Sequence, residues 1–283
     1  MRRVLIFAPL LAACADLRDT PEGINGWYTP ADALNVTEPV SFTSSPYGFT
    51  GSTPIADIPS PEVGSFETHF ATSMFAPACD GWQRSSELPV EIEGVVTIHP
   101  KYYFKTSGCQ GDRDADSDEK YYGSYFIEDD SGGMFVLGDT KVAHFTMGQR
   151  VRLKVRAIKE SFDLQMVIAH DVEEIGREVE PIYYQTPDGP LGFDEMARVQ
   201  RVTGTVVSDA SNFGELLIES DEGVTYSIKV DWEITRRKHA WEPGERIQVT
   251  GPVLYSYDIF SIVVMKVGQI CVLDDNNDCT DAE

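Results

Sequence analysis

The chain is short of positive charge: 23 lysines and arginines stand against 46 aspartates and glutamates in 283 residues, a formal net charge of −23. Such a body repels polyanions at long range. Affinity for a phosphate backbone comes mainly from cationic neutralisation, so nucleic acid is not an expected partner. The usual signatures of catalysis are also missing, with no G-x-S-x-G, Walker loop, G-x-G-x-x-G or H-E-x-x-H. The expectation is a protein without enzymatic activity. Ser117 to Lys120 spells S-x-x-K, but in a charged loop and not at a helix start, so coincidence accounts for it. No C-x-x-C spacing occurs, which removes the commonest thiol metal site, and the five histidines (His69, His99, His144, His170 and His239) are scattered. Beyond the amino terminus no apolar run approaches the ~18 residues that a membrane-crossing helix needs.

What is present begins with "MRRVLIFAPLLAAC". Two arginines, a short apolar segment and small residues before Cys14 have the order of an export signal, here residues 1–13. Leu11-Ala12-Ala13-Cys14 resembles the lipobox of bacterial lipoproteins at all four positions. That resemblance implies cleavage before Cys14, lipidation of its thiol and anchoring by several acyl chains. Ala15 follows the cysteine where a retention aspartate would stand, which implies the cell envelope and specifically the outer membrane. Loss of Arg2 and Arg3 would take the net charge from −23 to about −25.

Residues 14–86 form an arm rich in Pro, Ser, Thr and Gly, where "SSPYGFTGSTP" and "IPSPEVG" interrupt each apolar run. Its aromatics, among them Phe42, Tyr47 and Phe49, suit a segment part of which lies along a domain face. Four further cysteines are disulfide candidates in an exported chain: Cys79, Cys109, Cys271 and Cys279. The expected pairs are Cys79 with Cys109 and Cys271 with Cys279, the latter two flanking one carboxy-terminal turn.

Beyond the arm the pattern becomes that of strands. "VEIEGVVTIH" alternates, "YFIEDDSGGMFVL" is two apolar runs around a Gly-Gly turn, and "QRVRLKVRA" and "LQMVIAHDVEEI" add two more. The order then repeats through "TGTVV", "LLIESDEGVTYSI" and "WEPGERIQVTGPVLYSYDIFSIVV". Matched segments lie 110 residues apart at the first strand (Glu93 to Thr203) and 91 at the second (Tyr125 to Leu216). An insertion in the first connection of the first copy accounts for the difference. Five short strands in this order resemble the OB-fold, a small Greek-key barrel. The resemblance implies an all-β chain of two tandem five-stranded OB-like barrels, at 87–182 and 190–273, with an acidic tail at 274–283. It is also similar to barrels attached to some secreted nucleases, which implies an accessory-subunit alternative.

OB-folds bind on the face of strands 2 and 3. Tyr102, Tyr103, Phe104, Tyr121, Tyr122 and Tyr125 fall near that region, either as a stacking platform for sugar rings or as core. In "RVRLKVRA", Arg150, Arg152, Lys154 and Arg156 share one face of a strand. They offer an anion-binding stripe, or pair with Glu91 and Glu93 on the neighbouring strand. Finally, Asp112, Asp114, Asp116 and Asp118 alternate in the inserted loop. Calcium would relieve their repulsion, but Ser117 and Gly123 stand where an EF-hand loop needs its Gly and closing acid, so a solvated hairpin remains the alternative. Together these features favour a lipid-anchored envelope protein with a protein or glycan partner.

Overall fold

The computed structural model describes residues 42–43, 47–49, 52–58, 90–98, 125–137, 147–161, 164–176, 180–208, 211, 215–230, 241–256, 258–264 and 267–280. Among them the regular structure is β-strand with short 3-10 turns. The first barrel consists of β2 (Val90–Val96), β3 (Tyr125–Glu128), β4 (Gly133–Leu137), β5 (Arg150–Ser161) and β6 (Leu164–Glu174), closed in the order β2-β3-β4-β6-β5. β4 and β6 are parallel and the other pairs antiparallel, so numbered within the barrel the ring runs 1-2-3-5-4.

Period two decides what each strand buries. On β5, Val151, Leu153 and Val155 are buried while Arg152 and Lys154 lie outward, and β2 turns Ile92 and Val96 inward. Val95 faces the other way yet is fully buried, because it packs with Met147, Ile182 and Val199 in a separate cluster. Each of these aliphatic side chains contributes about 1.5–3 kcal/mol by leaving water.

The second barrel repeats the ring with β8 (Val199–Val206), β9 (Glu215–Glu219), β10 (Thr225–Val230), β11 (Arg246–Ser256) and β12 (Ile259–Val264). Its pairings run β8-β9-β10-β12-β11 and back to β8, with β10 and β12 parallel. β11 changes partner halfway: Ile247–Val249 pair with β13 (Ile270–Leu273), and Val253–Ser256 pair with β12. The change falls at Gly251-Pro252. Proline has no N–H to donate, and a Cβ on residue 251 would lie 2.1 Å from the Val263 carbonyl oxygen, so only glycine lets the strands cross.

The expected acidic tail is partly a strand. β14 (Cys279–Thr280) folds back on β13, and the carboxylate of Asp274 accepts the amides of Asn276 and Asp278 across the turn. Those amides, Asp278 first, hold the Asp274 carboxyl below its ordinary range. The hairpin is closed by the Cys271–Cys279 disulfide, the pairing that the sequence spacing favoured. Loop-closure entropy for a separation of 8 residues is worth about 2.5 kcal/mol. Reduction, or the double change Cys271→Ser with Cys279→Ser, is therefore expected to lower the thermal midpoint by a few degrees. Amide exchange should accelerate first in Ile270–Thr280, with the barrel strands spared.

Candidate functional site

The surface that OB-folds offer to ligands is the β3–β4 hairpin, and here it is covered on both faces. Every residue of β3 is buried, as are Met134, Phe135 and Val136 of β4. Tyr125 is fully buried, and its phenol is pushed above its ordinary range by burial alone. It is a core residue and not part of a surface platform. Ala197 of the linker and Leu254, Tyr255 and Val263 of the second barrel, with Ile55 and Ile58 of the arm, belong to one continuous apolar cluster with the first barrel's interior. The contact reaches backbone on backbone. A Cβ on residue 133 would lie 2.3 Å from the carbonyl oxygen of Ala197, which adopts a left-handed φ of 63°.

Three successive acids at the hairpin tip organise this junction. Glu128 is buried, accepts the Val199 amide on Oε2 at 2.9 Å and has Oε1 3.7 Å from Nε of Arg198. Burial pushes its carboxyl up to about 8, against the opposing pull of the Val199 amide and Arg198. Asp129 accepts the amides of Ser131 (2.7 Å) and Gly132 (2.8 Å) within the turn, and that of Ile55 (2.9 Å) from the arm. Asp130 accepts three consecutive amides of the arm, from Tyr47, Gly48 and Phe49. The arm continues as β1 (Phe42–Thr43), parallel to β7 (Ile182–Tyr183) in the linker between barrels. Part of the arm thus lies along the first barrel, as its aromatics suggested.

Removing the Asp130 carboxylate leaves those three amides with water alone. Asp130→Ala is expected to weaken arm docking by about 1–2 kcal/mol and to raise the rate of proteolytic cleavage within 42–58 roughly tenfold. Limited proteolysis with mass analysis reads this directly. An unchanged cleavage pattern would show that Ile55 and Ile58 hold the arm without help.

The basic face of β5 is largely engaged within the chain. Arg152 donates to Glu93 Oε1 at 2.7 and 2.9 Å, with Glu91 and Glu173 at 3.4 and 3.8 Å, in the cross-strand register Glu93↔Arg152 and Glu91↔Lys154. Arg150 donates to the Tyr47 carbonyl, lies 4.1 Å from the Phe49 ring centroid and has Nε 3.8 Å from Glu180. Lys154 is exposed, and Arg156 occupies a register break between β5 and β6. Of the remaining residues singled out in the sequence, Cys14, Cys79, Cys109, Tyr102, Tyr103, Tyr121, Asp112, Asp114, Asp116 and Asp118 lie outside the described residues.

A second feature was not anticipated. A cleft of about 560 Å³ opens between the linker at Tyr184–Gly189 and the outer face of the second barrel. Its floor is formed by Arg201 and Thr203 of β8 and Gln248 of β11, and its far wall by the β9–β10 turn at Ser220–Val224. The walls are fastened at both ends. Tyr226 donates its hydroxyl to the Gly189 carbonyl at 3.2 Å, and Arg246 grips Asp221 at 2.7 and 2.8 Å while reaching Asn277 at 3.2 Å. The Arg201 guanidinium lies 3.9 Å from the Tyr184 ring centroid and donates Nε to Thr250 Oγ1 at 2.8 Å; burial draws its pKa down. The linker "YQTPDGPLG" carries no periodicity, and its Pro and Gly content signals a loop but no site.

Ring closure in the order 1-2-3-5-4, twice in succession, makes the chain an all-β protein of tandem OB-fold barrels. No protein-family profile and no curated protein sequence matches it. Among solved structures, the tetrameric p202 HIN2 is 14% identical at a TM-score of 0.28, covering 69% of this chain and 96% of its own. A murine DNA-binding protein bound with double-stranded DNA is 12% identical at a TM-score of 0.29, covering 61% and 92%. The wild-type single-stranded DNA-binding protein from Thermus aquaticus is 12% identical at a TM-score of 0.22, covering 62% and 89%.

Proposed function

We propose that this is a lipid-anchored, non-catalytic protein of the cell envelope, held at the outer membrane through Cys14, whose barrels serve as a platform for assembly with another envelope protein. One observation carries the reading. The strand 2–3 surface of the first barrel, where an OB-fold would receive a ligand, is filled by the second barrel and the arm of the same chain, so that face is closed to a small ligand and a partner would dock on the surfaces that remain. The charge of the chain supports the same direction. With 46 acidic residues against 23 basic ones and Arg152 held by Glu93, the chain has no cationic excess for a nucleic-acid backbone.

Cross-linking in whole cells followed by detergent extraction and purification tests the reading, with Cys14→Ser as the unanchored control. A stoichiometric envelope protein that follows the wild-type chain is the expected result. Recovery of the chain alone in both preparations, or an identical membrane fraction for Cys14→Ser, would remove the assembly or the anchor respectively.

A further inference from the structure

The linker cleft is independent of the assembly reading, and its chemistry is specific enough to assign a ligand class. We propose that it binds a neutral, polyhydroxylated ligand, the end of an uncharged oligosaccharide. Its volume of about 560 Å³ is within the roughly 300–1,000 Å³ of small-ligand sites. The polar groups that line it are of mixed kind: the hydroxyls of Thr186, Thr203 and Ser220 and the amide of Gln248. Gln248 Nε2 donates to Thr203 Oγ1 at 3.4 Å and Ser220 Oγ accepts the Val224 amide at 3.3 Å, which leaves the hydroxyl hydrogens and the Gln248 carbonyl to face a ligand. Hydroxyls and amides both donate and accept, which is what a ring of alcohol groups requires. Pro187 and Val224 give the walls apolar strips against which the C–H face of a sugar ring can lie.

Charge excludes the main competitors. Asp188 and Glu222 stand on the walls of a chain already at −23, so a phosphate or carboxylate is repelled. The cation on the floor, Arg201, is stacked on Tyr184 and bonded to Thr250, which leaves it poorly placed to clamp an anion by its fork. A polyamine or metal ion needs converging acids. Asp221 is committed to Arg246, and among the described residues no three metal-ligating side chains cluster. The cleft is also preorganised, since the Tyr226–Gly189 and Arg246–Asp221 bonds tie both walls before anything enters.

The test is titration of the full chain in detergent with uncharged trisaccharides of glucose, of mannose and of N-acetylglucosamine, followed by calorimetry and by NMR. Spermidine and a sugar phosphate serve as controls. At least one trisaccharide is expected to bind with a Kd of about 0.1–10 mM. Thr203→Val and Gln248→Leu, both outward on strands, should each weaken it roughly tenfold with the melting temperature retained. Where a variant loses its fold, wild-type shift changes confined to Tyr184, Thr203, Tyr226 and Gln248 serve the same purpose. Absence of binding by all three sugars, equal binding by both variants, shift changes elsewhere, or preference for spermidine or the phosphate would each overturn the assignment.

Discussion

Gly133→Ala is expected to cost the protein about 2–4 kcal/mol, while Gly132→Ala, one residue earlier, should be close to neutral. The two glycines sit side by side in the same turn, and what a methyl group would meet separates them. At residue 133 it would lie 2.3 Å from the Ala197 carbonyl oxygen, 2.4 Å from its carbonyl carbon and 2.8 Å from the Arg198 nitrogen. All three obstacles are backbone, so no rotamer change relieves them. The linker must move, and with it the Val199 amide that Glu128 accepts and the apolar cluster under Tyr255 and Val263. At residue 132 the nearest atom is the Ala56 nitrogen at 3.6 Å, ordinary van der Waals contact, and the lost backbone freedom of the unfolded chain offsets any small crowding. Urea melts of both variants measure the difference. Displacement of the linker should also split the Gly133→Ala transition, because each barrel has its own interior and the junction couples them. A single transition of wild-type midpoint for Gly133→Ala would mean that the backbone contact does not hold the barrels together.

The same hairpin separates the features that the sequence encodes locally from those that it does not. Strand identity followed from period two: the second copy's β9 alternates exposed and buried from Glu215 to Glu219, and β5 puts Arg152 opposite Glu93 and Lys154 opposite Glu91, the cross-strand pairing that the alternation offered. The duplication and the Cys271–Cys279 pair were legible for similar reasons, being local in sequence or repeated. The burial of the β3–β4 outer face was not inferred, although a sign of it was present. "MFVL" is an unbroken run of the kind that marks strands covered on both faces, but "LLI" in β9 is as unbroken as "YFI" and its Leu217 is exposed, so that sign is ambiguous. Without a partner in view, that excess of apolar surface reads equally as a ligand platform. Glu128, Asp129 and Asp130 carry the local pattern of a solvated turn, three acids before Ser-Gly-Gly. Their roles at the junction depend on amides 71 to 83 residues away in sequence, such as Val199 and Tyr47, which no local pattern encodes. The linker cleft is hidden for the same reason, since its two walls meet only in three dimensions.

Stability should fall as pH rises from about 5 to 8, and Glu128→Gln should flatten that slope. The sign follows from the proton count. The carboxyl titrates near its ordinary value of 4.5 in the unfolded chain but at about 8 in the fold, because burial at the junction penalises its charge. Between those limits the folded state holds a proton that the unfolded state has lost, so the stability present below 4.5 is surrendered as pH climbs through 8. At about 1.4 kcal/mol per pH unit the ceiling is roughly 5 kcal/mol. The real change is smaller, about 2–4 kcal/mol, because above the folded value the junction can open locally and hydrate the carboxylate without unfolding either barrel. Three charged groups face or flank the site: Arg198, with Nε 3.7 Å from Oε1, favours ionisation, whereas Asp129 and Asp130 on the same turn oppose it. Glutamine keeps an oxygen for the Val199 amide and cannot ionise, so it isolates the titration from the packing. Leucine would not, since it leaves that amide without its acceptor. The general repulsion of a chain at −23 also grows with pH, but it is common to both proteins and cancels in their difference. Thermal or urea melts at pH 5, 6.5 and 8 should therefore converge at the acid end and diverge at the alkaline end, with Glu128→Gln the more stable at pH 8. Parallel curves would place the proton elsewhere and leave Glu128 as an ordinary hydrogen-bond acceptor.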